Sequence, residues 1–185
     1  MEREQLFYHH ISNIEGGKGT AVITLVNSDK DKALHVICSK IVKQLIYMSG
    51  RFDSSLMSGT LVDIVKQMII DSPYYLSYEM TVFDVRDGEY RVRLTCADPD
   101  EVYSIKMCDA VLLHIITGIP LYINKELFNI QSSNFEEKEK VYRIPLNAMD
   151  TLILLDRLEY AIQKEDYAFA AKIKKELDER VDLLM

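Results

Sequence analysis

Apolar and polar residues alternate along two stretches in the middle of the chain. Over residues 76–86, Leu76, Tyr78, Met80 and Val82 fall on one face, against Ser77, Glu79 and Thr81 on the other. Over 89–97, Tyr90, Val92, Leu94 and Cys96 oppose Glu89, Arg91 and Arg93. Period two marks a strand with one buried face. Asp87-Gly88 between them is a tight-turn dipeptide, so the pair predicts a β-hairpin. Residues 6–14, 20–26 and 33–38 read as three more strands. The glycines in Glu15-Gly16-Gly17-Lys18-Gly19 join the first two as a hairpin loop; a phosphate-binding loop would need a helix directly after them. The spacing turns helical over 39–48, with Ile41, Val42, Leu45 and Ile46 on one face and Ser39 as N-cap. It is helical again over 60–70, with Leu61, Ile64, Val65, Met68 and Ile69 as the inner face and a cap near Ser58 or Gly59.

The chain is organised around residues 103–128. A strand ends at 102–106, a helix spans 108–117, and a short strand follows at 121–124. The helix is apolar nearly all round (Ala110, Val111, Leu112, Leu113, Ile115, Ile116), so it belongs inside the domain. Gly118 and Pro120 supply its stop signals. Strands mixed with helices and hairpins predict an α+β domain with a mixed β-sheet and packed helices.

Residues 131–140, QSSNFEEKEK, read as a polar linker, with a short extended piece after them. From residue 148 to 185 there is no Gly or Pro. Apolar residues recur at Leu152, Leu155, Leu158 and Ile162, and again at Tyr167, Ala170, Ile173, Leu177 and Val181 after a break at Glu165-Asp166. This predicts a C-terminal antiparallel helical hairpin. The expected layout is an α+β domain over 1–130, a linker over 131–147 and the hairpin over 148–185. So short a hairpin cannot bury enough surface alone. Its stripe is expected to pack on another chain, making the protein a homo-oligomer or a docking module.

A net charge of −7 weighs against broad nucleic-acid binding, because phosphate contacts need Lys and Arg. Cys38, Cys96 and Cys108 are scattered without a CxxC, and the charged N-terminus has no apolar run of the signal-peptide kind. No stretch reaches the ~20 apolar residues of a membrane span. A reduced, cytoplasmic protein without membrane association is expected. Asp109 falls in the first turn of the 108–117 helix, where the dipole favours a carboxylate by about 0.3–1 kcal/mol. His9 and His10, adjacent on a strand, should point to opposite faces and cannot chelate one ion together. His114 is expected as a hydrogen-bonded core residue. Cys108 as a nucleophile would need a base; Lys106 could lower its pKa, but no His or Asn partner is assignable.

Two resemblances add to this. The run LEYAIQKEDYAFAAKIKKEL resembles the UVR motif of nucleotide-excision-repair proteins, through Leu155, Leu158, Glu159, Ala161, Ile162, Glu165, Asp166, Tyr167, Ala170, Ala171 and Ile173. Lys174-Lys175 stand where that family often has Arg-Asp. The motif implies a hairpin that binds another protein or a second copy, with Leu155, Leu158, Ile162, Tyr167, Ala170, Ile173 and Leu177 as interaction residues. CDAVLLHIITGIPLYINKELF in the body is similar to the bifunctional nuclease family, whose members cleave DNA and RNA. That resemblance implies a divalent metal, Mg or Mn, and a site retaining Asp109 and Lys106. The family's His-Asp pair is absent from Ser55-Leu56-Met57-Ser58-Gly59-Thr60, and its Asp-Ala-Arg-Pro-Ser-Asp-Ala becomes Ser104-Ile105-Lys106-Met107-Cys108-Asp109-Ala110. Most of the polar positions have been replaced. The expectation is therefore a family member with a degenerate nuclease site, acting as an oligomeric adaptor through its hairpin. The alternative is a metal-dependent nuclease acting on DNA or RNA.

Overall fold

The structure is a computed structural model and describes residues 2–14, 19–50, 57–97, 100–137 and 142–182. Among these, eight strands form one sheet: β1 (Arg3–Asn13), β2 (Thr20–Val26), β3 (Lys32–Ser39), β4 (Tyr78–Arg86), β5 (Glu89–Cys96), β6 (Glu101–Lys106), β7 (Leu121–Asn124) and β8 (Ser133–Asn134). Six helices accompany them: α1 (Lys40–Gly50), α2 (Leu61–Ile70), α3 (Met107–Thr117), α4 (Lys125–Gln131), α5 (Thr151–Gln163) and α6 (Tyr167–Asp182). The strand order is β6-β5-β4-β7-β1-β2-β3-β8. β4 and β7 run parallel and the other neighbours antiparallel, so the sheet is mixed and the fold is α+β, as the patterning predicts.

β4 and β5 pair with Met80 opposite Leu94 and Val82 opposite Val92. Asp87 (φ 54°) and Gly88 (φ 82°) both have positive φ, which a two-residue hairpin turn twisted with its strands requires. β7 joins the two hairpin blocks. It pairs Leu121 with Leu6 of β1 on one side and with Met80 of β4 on the other, and all three side chains are fully buried. α3 lies on this face of the sheet and buries Ala110, Val111, Leu112 and Leu113, with Ile115 and Ile116 half-buried. Gly118 (φ 77°) closes the helix in the left-handed region and donates its N–H to the His114 carbonyl. His114 is a hydrogen-bonded residue, its Nδ1 2.8 Å from the Ile119 carbonyl oxygen.

Three expectations need correction. The N-cap of α2 is Thr60, whose hydroxyl accepts the Asp63 N–H at 3.2 Å. No residue of α2 is buried, and only Val62 and Ile69 reach the core. Leu61, Ile64, Val65 and Met68, read as its inner face, point to solvent, as does Ile41 of α1. The core contact runs along one edge of that apolar stripe, so the helix is turned by about a quarter of its circumference from the expected phase. The polar run 131–140 is only partly a connection: Gln131 ends α4 and is buried, and Ser133–Asn134 extends the sheet beside β3. Residues 138–140 of that run, and 15–18 of the glycine loop, lie outside the described residues. Among the described residues no helix is long and apolar enough to cross a membrane.

Candidate functional site

Lys106 and Asp109 stand at the N-terminal end of α3. Lys106 is the N-cap residue in extended backbone, without a side-chain capping bond, and Asp109 lies in the first turn; both are exposed. Among the described residues, no group of three or more His, Cys, Asp or Glu side chains is placed to hold a metal ion. Metal-assisted phosphodiester cleavage needs convergent carboxylates, often around two ions about 4 Å apart. The side chains described around Asp109 do not fit that group, and no step through a metal follows. Cys108 gives no nucleophile either. Burial pushes its thiol up to about 12, helped by Cys38 and Asp109, and these outweigh the downward pull of Lys106. Its Sγ donates to the Ile37 carbonyl at 3.6 Å.

The sheet's other face carries a histidine row that alternation could not show. A β-bulge falls between Tyr8 and His10: Tyr8 pairs with Leu25, His10 with Thr24, and His9 is the extra residue. The bulge lets Leu6 and Ile11 both join the core and brings the His9 and His10 rings together, Nδ1 to Nδ1 at 3.3 Å. The expectation that these rings point apart is therefore wrong. Thr24 pairs with His35, and its Oγ1 lies 3.4 Å from His35 Nδ1. Phe135 packs on His9, and Tyr142 packs edge-on against His35.

Burial, then the neighbouring His10, lowers the His35 pKa to about 4; burial and then His9 lower that of His10. Both groups are thus held neutral in the folded chain. The unfolded chain binds the extra protons as pH falls below about 6.5, so stability should rise with pH from about 4 to 6.5 and level off outside that window. His35 should contribute about 1–2 kcal/mol to this rise, after discounting for screening by solvent. Denaturation midpoints on either side of the window check it. Equal midpoints, or a slope unchanged in His35→Gln, would count against the assignment.

The third candidate is the C-terminal hairpin. Asp150 caps α5 by accepting the Leu152 N–H at 2.8 Å, and Asp166 caps α6 by accepting the Phe169 N–H at 3.1 Å. Between them Glu165 takes a positive φ of 58° to reverse the chain. Leu154, Ala161, Ala170 and Ile173 are buried where the helices meet, with Leu158 and Leu177 half-buried beside them. This inner core continues onto Ile144, Leu146 and Met149, and onto Ile37 of β3. Arg180 is buried and ties the base together. It donates to Thr151 Oγ1 at 3.0 Å, to the Leu146 carbonyl at 3.1 Å and to Glu176 at 2.9 and 3.0 Å. The one-turn 3-10 helix Leu146–Ala148 meets the β4–β5 turn, where the Gly88 N–H donates to the Asn147 carbonyl at 3.0 Å.

The expected interaction stripe therefore divides. Leu158, Ala170, Ile173 and Leu177 face the hairpin's own core, while Leu155, Ile162 and Tyr167 face out. The inner face of α5 is Leu154, Leu158 and Ala161, a neighbouring phase to the one expected. The hairpin also has an inner core and a body contact of its own, rather than depending wholly on another chain. Arg180 and the second role of Gly88 had no signal in the sequence: one is a lone arginine in a charged helix, the other a turn glycine. Compared with known proteins, the chain matches no family model and no curated protein.

Proposed function

We propose that this chain is an interaction protein: a bifunctional-nuclease-like body, its catalytic positions replaced, that presents a UVR-like hairpin to another protein chain. The observation that carries the reading is the outer face of α5, where Leu152, Leu155 and Ile162 are 72%, 48% and 53% exposed on a helix capped and anchored at its base. They lie on one side of the helix. Covering one such aliphatic side chain is worth roughly 2 kcal/mol gross. Three of them on a preordered helix meet the association cost of a weak complex.

Leu158 is unsuitable for testing this, since a charge there would enter the hairpin's own core. Leu155→Asp combined with Ile162→Asp leaves that core intact. The double variant should keep its helicity and melting temperature and lose partner recovery about tenfold or more, the scale of 1.4 kcal/mol. Undiminished recovery would remove the hairpin's outer face from the proposal. The nuclease alternative is tested with Mg²⁺ or Mn²⁺ on single- and double-stranded DNA and on RNA. The wild type should cleave no faster than Asp109→Asn; cleavage that Asp109→Asn abolishes would reverse the reading.

A further inference from the structure

We infer that α2 is a self-association surface, through which two copies of this chain pair their α2 helices antiparallel across a two-fold axis. This goes beyond the hairpin reading and does not depend on it. Leu61, Ile64, Val65 and Met68 are 76%, 47%, 37% and 68% exposed. Their spacing i, i+3, i+4, i+7 sets them in a single stripe along the helix. Isolated exposed apolar residues are ordinary, but a continuous stripe is not.

Three features favour a second copy as the occupant. The stripe is complementary to itself. With the axis between Ile64 and Val65, each Leu61 lies beside Met68 of the partner subunit, and each Ile64 beside Val65 of the partner subunit. The unbranched, adaptable Met meets Leu at the ends, and stiff β-branched residues meet at the crossing. An isologous contact of this kind closes on itself and needs no second kind of surface.

The stripe is also uncharged. Asp63 and Lys66, the charged residues of α2, lie more than a quarter-turn around the helix from it, and the Asp63 carboxylate already accepts from the Gly59 N–H and from Gln67. In a chain of net charge −7, two copies meet with least repulsion at such a place. The area is sufficient as well. The exposed parts of the four side chains come to roughly 450 Å², near the ~500 Å² of apolar surface in a standard interface of ~800 Å² per partner. Pairing would also make the protein bivalent for whatever its hairpin binds.

The test is the mass of the full chain by light scattering at about 50 µM, well above a micromolar dissociation constant. The expected mass is twice 21.4 kDa for the wild type and for Leu155→Asp, and 21.4 kDa for Ile64→Glu. Ile64 is exposed, so Ile64→Glu should keep the wild-type circular dichroism. A wild type that stays monomeric, or an Ile64→Glu protein that keeps the doubled mass, would overturn the inference. Loss of the dimer in Leu155→Asp but not in Ile64→Glu would move self-association to the hairpin and overturn it equally. Should Ile64→Glu fail to fold, Ile64→Cys takes its place. On oxidation it should give disulfide-linked dimers well above Ser28→Cys, at an exposed turn position; equal yields would sink the proposal.

Discussion

Gly88→Ala should detach the base of the hairpin from the body. Two costs act together. Gly88 has φ 82°, a conformation that costs an L-residue about 1–2 kcal/mol. A methyl group there would lie 2.5 Å from the Met149 carbonyl oxygen, 2.6 Å from its carbon and 2.7 Å from the Asp150 nitrogen. All three are backbone atoms, so the strain cannot be relieved by a rotamer change. The Leu146–Ala148 turn must move away, and the hydrogen bond from Gly88 to Asn147 goes with it, a further ~0.5–1.5 kcal/mol. The left-handed strain stays in the β4–β5 turn of the body, whereas the clash and the lost hydrogen bond fall on the contact with the hairpin. Hydrogen exchange should quicken at residues 146–154 and through α6, while β1, β7 and α3 stay protected. Unchanged exchange at Met149 and Leu154 would mean that the turn does not hold the hairpin.

Leu121→Ala should weaken the whole body by about 2–5 kcal/mol, the range for emptying a fully buried leucine site. Leu121 sits in the row Leu6–Leu121–Met80, where the β1–β2–β3 block meets the β4–β5–β6 block. β7 is only four residues long, and Ile123 is its other buried side chain. Little neighbouring chain can collapse into the space, which places the cost in the upper half of that range. Ile115→Ala should cost less, since Ile115 is half-buried. Denaturant midpoints at a constant slope measure both. A loss for Leu121→Ala below that for Ile115→Ala would contradict the central position given to β7.

Patterning revealed the β4–β5 hairpin, the buried α3 and the helical hairpin because each has one strongly apolar side, or is apolar throughout, and clear stop signals. It failed where two phases were available to the same residues. α5 has one stripe through Leu154, Leu158 and Ala161 and another through Leu152, Leu155 and Ile162, and only the position of α6 decides which lies inside. α2 shows the same ambiguity: its edge residues Val62 and Ile69, not its richest stripe, touch the core. The bulge at His9 was hidden because it breaks the alternation that would have located it. β8 is two polar residues, Ser133 and Asn134, with no pattern of their own. The first-turn position of Asp109 was legible from the helix start signals, but the exposure of its carboxylate depends on how α3 meets the sheet.

Photo-crosslinking from α5 tests the interaction reading most directly. A photoreactive residue is placed at Leu155 or Ile162 in the full chain and activated inside cells, with Asp29, an exposed turn position, as control. A discrete adduct with another protein from positions 155 and 162, absent from 29, is the expected result. Adducts equally frequent from all three positions, or none from 155 and 162 in a folded protein, would contradict the assignment of the hairpin as a docking element.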